Sequence, residues 1–283
     1  MSAGKDDAAA RDVDAPRLPL VVGHRGASAH APENTLAAFR RAFEDGADGL
    51  EFDVRLARDG VPVCIHDVSL ARTGSRVDAV SSLTSEELRE CGVGAWFNRR
   101  FPRLARAEYE RERVPTLAEV FRETAVRARV LYVELKYEPG EDVLPLASEV
   151  ARLTREHRLL EQVVVESFNL EAVRASKRLA PELRTAALFE RRLARPVLPA
   201  GTILARASDC GADEIALHHT LARARTVAAA RSEGFDALVW TVDRPAWAAR
   251  ALALGLRALI TNRPALMRSA LDHLAADRPD DEA

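Results

Sequence analysis

Four stretches of the chain, 46–53, 211–218, 234–241 and 255–261, restrict the fold more than any other feature. Each follows a helical pattern, opens on a glycine (Gly46, Gly211, Gly234, Gly255) and runs into a short apolar segment. A glycine there suits the left-handed residue that ends a helix, and the apolar run reads as a buried strand. Helical spacing occupies 34–45, 115–128, 169–179, 220–231 and 243–254. Thr84 with Glu87 and Thr116 with Glu119 form capping boxes, and Pro245 suits a first helical turn. Strand segments are expected at 19–23, 49–55, 61–66, 130–136, 162–167, 185–189, 213–218, 236–241 and 257–261. Alternation of strand and helix over this length predicts an α/β fold with a parallel barrel; a doubly wound open sheet is the alternative.

That count is one strand more than eight staves need. Asp59-Gly60 is a two-residue hairpin signal. Centring a turn on it places Asp53 opposite His66, Val54 opposite Ile65 and Leu56 opposite Val63. A parallel crossover without a helix is the competing arrangement. The span 67–114 is too long for an ordinary loop and is expected to form a small inserted cap. Residues 1–17 read as a disordered leader and 277–283 as a disordered tail, leaving 18–276 for the barrel.

The chain's 283 residues carry a net charge of −2, which argues against nucleic acid as a partner. No apolar run is long enough to cross a membrane, and no secretory signal precedes the first strand. Cys64, Cys91 and Cys210 are too scattered for a disulfide framework, so a cytoplasmic enzyme is expected. Oligomeric state is not readable.

Residues two apart on a strand share a face. Glu51 and Asp53 therefore project together from a strand whose other residues, Leu50, Phe52 and Val54, are apolar. Buried like charges are costly unless a cation joins them, and carboxylate oxygens suit Mg²⁺ or Ca²⁺. A rim pair neutralised by arginines is the bland alternative. Glu134 and Lys136 share a face in the same way, so Glu134 can complete a three-carboxylate site and Lys136 can answer a phosphate. Only three lysines occur in the chain, Lys5, Lys136 and Lys177. His24-Arg25-Gly26 follows the first strand, where Arg25 offers a fork for phosphate. His24 and His66 near a phosphate make a general acid and general base, in either order. Phe168 and Trp240, at later strand ends, are substrate walls or core. His218 and His219 are read as structural.

In order, His24-Arg25-Gly26, Pro32-Glu33-Asn34-Thr35, Glu51-Phe52-Asp53, Asp59-Gly60 and His66-Asp67 resemble the glycerophosphodiester phosphodiesterase family. Trp96-Phe97, Pro115-Thr116-Leu117, Glu134-Leu135-Lys136, Ser167-Phe168, Trp240-Thr241-Val242 and Thr261-Asn262-Arg263-Pro264 extend the match over roughly 18–268, nearest the soluble bacterial branch. The resemblance implies a TIM-type (β/α)8 barrel with a cap after the second strand region. It implies one divalent cation on Glu51, Asp53 and Glu134, acid–base work by His24 and His66, and phosphate binding by Arg25 and Lys136. The implied reaction takes a small glycerophosphodiester to glycerol 3-phosphate and an alcohol. A lysophospholipase D using the same site is the alternative, with Trp96, Phe97 and Phe101 as its apolar groove if they are not simply the cap's core. Asp243 departs from the asparagine usual after Trp-Thr-Val and is expected to cap the following helix.

Overall fold

The computed structural model describes residues 18–191 and 198–277. The expected leader 1–17 lies outside them, as does all of the expected tail except Asp277. Eight parallel strands close into a barrel: β1 (Leu20–His24), β2 (Gly49–Leu56), β4 (Val130–Leu135), β5 (Val163–Ser167), β6 (Arg184–Phe189), β7 (Glu214–His218), β8 (Asp236–Trp240) and β9 (Ala258–Thr261). Closure comes from β1, which pairs with β9 on one edge and β2 on the other. The open-sheet alternative is thereby excluded. The surplus strand is β3 (Pro62–Cys64), antiparallel to the end of β2 and continuing the edge that β1 vacates after His24.

The hairpin is present, but its register differs by one residue from the expected one. Val54 pairs with Cys64 and Leu56 with Pro62, so Ile65, not His66, lies against Asp53. The turn is a three-residue loop, Arg58 to Gly60, closed by Ala57 and Val61, with Gly60 left-handed at φ +79°. A type I turn followed by a left-handed glycine is the usual three-residue hairpin. A one-residue slip exchanges the faces, so His66 reaches the barrel mouth beyond the end of β3 and not through the ladder.

Around the barrel lie α1 (Leu36–Glu44), α4 (Leu117–Thr124), α5 (Leu144–Glu156), α6 (Leu170–Leu179), α7 (Ala200–Cys210), α8 (Ala224–Ser232), α9 (Ala246–Leu254) and α10 (Pro264–Ala276); between β3 and α4 run the short α2 (Ser85–Arg89) and α3 (Ala95–Arg100). The patterns gave no range for α5 or α10, and of α7 they marked only the end at Gly211. The glycines that announced the fold behave as expected, all four at φ between +62° and +86°. Both capping boxes form. None of the described helices is long and apolar enough to cross a membrane.

Two cores divide the strand residues by parity. Leu50, Phe52, Val54, Val133, Val165, Ala187, Ile215 and Val239 pack outward against the helices. Val22, Val130, Tyr132, Val164, Ala186, Leu188, Ala216, Leu238, Ala258 and Ile260 fill the barrel. Stepping two residues on along these inward rows gives His24, Glu134, Glu166, Glu190, His218, Trp240 and Asn262. The same alternation points Glu51 and Asp53 inward, because Leu50, Phe52 and Val54 point out. The interior is therefore apolar across its middle and polar at the C-terminal mouth, while at the opposite end the buried Glu214 accepts from the Tyr132 hydroxyl and pairs with Arg184.

The segment after β3 has two small cores. One joins Ala57, Val63 and Ile65 to Leu70, Val80, Leu83, Leu88, Cys91, Val93 and Val114. The other seats Phe97 and Tyr109 on Ala31 and Ala38, and the Tyr109 hydroxyl donates to the His30 carbonyl at 3.1 Å.

β2 lies close against β4. A Cβ on Gly49 would lie 2.1 Å from the Val130 carbonyl oxygen, whereas one on Gly60 meets nothing within 4 Å. Gly49→Ala is expected to cost about 3 kcal/mol, lowering Tm by roughly 6–12 °C. Gly60→Ala, opposed only by its φ, should cost about 1 kcal/mol. Equal losses for the two in thermal denaturation would contradict the close approach at Gly49.

Candidate active site

Glu51, Asp53 and Glu134 are all buried, and one carboxylate oxygen from each lies within 4.8 Å of the others. β2 supplies the first two from alternate positions, and the β2–β4 register sets Asp53 beside Glu134. Two cations stand among them. The Lys136 ammonium is 3.0 Å from Asp53 Oδ1 and 2.7 Å from Glu134 Oε1, and Arg25 Nε is 3.0 Å from Asp53 Oδ2. Glu51 Oε1 has no hydrogen-bond partner.

These surroundings split three similar carboxylates. Burial raises the Glu51 pKa well above the ordinary value, with help from Asp53 and Glu134. Burial likewise lifts Glu134 to about 7, against the pull of Lys136. Asp53 goes the other way: burial pushes up, but Arg25, Lys136 and His66 together hold it well below the carboxylate range. Three carboxylates against two cations, with one oxygen unpartnered, fit a hard divalent cation with oxygen ligands.

Arg25 holds a left-handed backbone at φ +53°. Its N–H donates to the Glu51 carbonyl at 2.7 Å and to the Glu51 carboxylate at 3.1 Å, which offsets the strain. Glu33 pairs with Arg25 at 2.8 Å and with Arg72 at 2.7 Å. The backbone of Asn34 is also left-handed, at φ +55°. Its side-chain amide donates to Asp53 Oδ2 at 2.8 Å and accepts from the Asp53 N–H at 3.3 Å, so both carboxylate and strand are held.

His24 and His66 line one inner cavity of about 200 Å³ with Arg25, Glu51, Glu134, Lys136, Phe168 and Trp240. His24 Nε2 lies 3.8 Å from Glu51, while its Nδ1 is 2.7 Å from Asn262 Oδ1. The Asn262 amide nitrogen donates to Asp243 at 2.7 Å, which makes Oδ1 the acceptor toward His24. Asp243 also accepts from Thr261 Oγ1 and the Asn262 N–H. It therefore anchors Asn262 and does not cap α9, whose N-cap is Pro245 without a side-chain cap. Burial, then Arg25, lowers His24 to about 4; burial also lowers His66, whose Nδ1 is 2.6 Å from Asp67.

Phe168 and Trp240 meet edge to face at 5.4 Å, with Lys136 Nζ 5.8 Å from the Phe168 ring centre. His218 bonds Thr220 and stacks on His219, and neither lines the inner cavity. Pattern reading missed Glu166, a buried acid on the inward row of β5 whose pKa is raised by burial, Glu51 and Glu134. The alternation that identified Glu51 applies to it equally. The structural roles of Asn34 and Asn262 were missed because both act across long sequence separations.

Residues 24–266 match the family model described as the glycerophosphoryl diester phosphodiesterase family. The chain belongs to this family. A glycerophosphodiester phosphodiesterase from Caldanaerobacter subterraneus subsp. tengcongensis is 33% identical over 248 residues, covering 87% of this chain and 94% of the relative. One from Bacillus subtilis is 31% identical over 253 residues, covering 87% and 84%. An Oleispira antarctica phosphodiesterase, solved with the product sn-glycerol-3-phosphate, superposes with TM-score 0.79 at 27% identity, covering 90% of this chain and 97% of that one. A Silicibacter pomeroyi structure described as a glycerophosphoryl diester phosphodiesterase gives TM-score 0.81 at 27% identity, covering 92% and 95%. The barrel is thus that of a phosphoric diester hydrolase with glycerophosphodiester phosphodiesterase activity.

Ligation of a cation requires Glu51 and Glu134 as carboxylates, and both hold protons at pH values where Asp53 is already ionised. Cation binding to EDTA-stripped protein near pH 7 should therefore release protons, and apparent affinity should rise with pH. Calorimetry in buffers of different ionisation enthalpy measures the release. Buffer-independent heats would contradict the raised carboxyls, and Glu134→Gln should reduce the release.

Proposed function

We propose that the protein hydrolyses glycerophosphodiesters to glycerol 3-phosphate and an alcohol, with one divalent cation, Mg²⁺ or Ca²⁺, on Glu51, Asp53 and Glu134 and with two histidines exchanging protons. The observation that carries this reading is the pair His24 and His66 lining one cavity with the buried carboxylates, Arg25 and Lys136. The cation would lower the charge on the phosphoryl group as it reacts.

Arg25 and Lys136 bind phosphate oxygens by charge-assisted hydrogen bonds. Asn262, oriented by Asp243, keeps the His24 proton on Nδ1, which leaves the Nε2 lone pair toward the cavity. His24 is neutral at pH 7 because its pKa sits near 4. It therefore takes the proton of the attacking oxygen, from water or from the neighbouring glycerol hydroxyl. A bond from that oxygen to phosphorus forms as the bond to the alcohol oxygen breaks; where the glycerol hydroxyl attacks, the cyclic phosphate so formed is opened by water in a second step to give glycerol 3-phosphate. His66 acts as the acid in its imidazolium form, with Nδ1–H on Asp67, and gives the proton on Nε2 to the departing alcohol. Phe168 and Trp240 wall the small glycerol half. Three buried, unpaired cysteines agree with a reducing compartment, and we place the enzyme in the cytoplasm.

A lysophospholipase D needs an apolar groove. Phe97 is fully buried in the insert's core, whereas Trp96 and the exposed Phe101 share their cavity with arginines, which favours a polar occupant.

His24→Ala and His66→Ala should each cut hydrolysis of glycerophosphocholine by about 100- to 10,000-fold without unfolding the protein. A p-nitrophenyl diester, whose leaving group needs no proton, should restore His66→Ala but not His24→Ala. Rescue of His24→Ala alone would reverse the two roles, and full activity in the double variant would remove them.

A further inference from the structure

A second and larger cavity, of about 800 Å³, opens from the same two residues, His24 and Arg25, toward the insert and the start of α10. Its charged lining falls into two groups. Arg25, Arg72 and Glu33 are tied to one another, with Asp53 and Asp67 completing their ion pairs. Asp243 is occupied by Thr261 and Asn262. Arg99, Arg100 and Arg263, all exposed, have no carboxylate partner among the described residues; Arg100 only overlies the Phe101 ring at 5.7 Å. The Trp96 indole nitrogen, a donor with no acceptor function, also lacks a partner, and its ring lines this cavity.

The diester's two halves leave the phosphorus in different directions. The inner cavity, about 200 Å³ and rich in carboxylates, suits the small glycerol half. The outer one, four times larger, is left for the alcohol half and presents unneutralised guanidinium groups in a chain whose net charge is −2. A cationic head such as choline meets repulsion there, while an anion gains charge-assisted, fork-shaped hydrogen bonds.

We propose that the outer cavity is a subsite for an anionic alcohol half, and that the preferred substrates are glycerophosphodiesters whose alcohol carries a further phosphate or carboxylate. This rests on the diesterase reading above. Arg99 and Arg100, in the last turn of α3, reach it from the insert, and Arg263 reaches it from the residue before α10.

Glycerophosphoinositol and glycerophosphoinositol 4-phosphate differ by one phosphate on the same ring and isolate the effect. The ratio of their kcat/KM values should favour the phosphorylated diester by roughly tenfold or more at low salt. It should shrink as sodium chloride rises from roughly 0.05 to 0.5 M. Arg99→Ala/Arg100→Ala and Arg263→Ala should bring the ratio toward unity while leaving glycerophosphoinositol turnover unchanged. Arg99→Glu/Arg100→Glu should turn preference toward glycerophosphocholine. A wild-type ratio near one, or a ratio the variants do not move, overturns the subsite. So does weakened binding of these variants to phosphatidylglycerol vesicles with the ratio intact, which would make the arginines a membrane contact. Failure of the wild type on every diester would instead reject the diesterase reading.

Discussion

Everything at the mouth of this barrel depends on keeping Glu51, Asp53 and Glu134 together in a buried place. Like charges within 4.8 Å at such depth cannot all ionise without compensation. Arg25 and Lys136 supply part of it, and the rest is divided unequally. Asp53, which both cations contact, keeps its charge; Glu51 and Glu134 hold on to protons. The cluster is thus poised to exchange protons for a cation. The neighbours follow from this need: Arg25 accepts a left-handed backbone to place its guanidinium on Asp53, and Asn34 accepts another to hold the same carboxylate from behind.

Barrel closure makes the arrangement affordable. With β1 paired to both β2 and β9, each strand has one face inward, and the middle of the barrel is packed with apolar side chains. The site costs no hole in the core, because Val22, Tyr132, Val164, Leu238 and Ile260 fill the interior below it. His24 and Glu134 each stand one strand repeat above a packed residue, Val22 and Tyr132, which fixes their direction.

That periodicity is also why so much was legible. Strand alternation alone set Glu51 with Asp53 and Glu134 with Lys136, and four glycines marked helix ends before strands. Of the helices, α5 and α10 escaped, and neither has a side-chain cap to mark its start. The hairpin register failed because Asp59-Gly60 fits both a two-residue turn and the last two positions of a three-residue one, and only tertiary packing of Val63 and Ile65 in the insert's core separates them. The meeting of His24 with Asn262, 238 residues apart, has no local signature at all.

Asp243 shows how a local rule can mislead when a distant partner competes. An aspartate two residues ahead of a proline-led helix is a natural cap by sequence. Here Thr261 and Asn262, brought alongside by the β8–β9 pairing, offer three donors, and the carboxylate takes those. The consequence passes along the chain of hydrogen bonds. An anion can only accept, so the Asn262 amide must turn its nitrogen toward Asp243 and its oxygen toward His24, and the imidazole must then carry its proton on Nδ1. An asparagine at 243 could present either end of its amide and would leave that order to other contacts. The single negative charge at Asp243, two hydrogen bonds removed from His24, is what gives the histidine at the C-terminal end of the first strand one orientation and one tautomer.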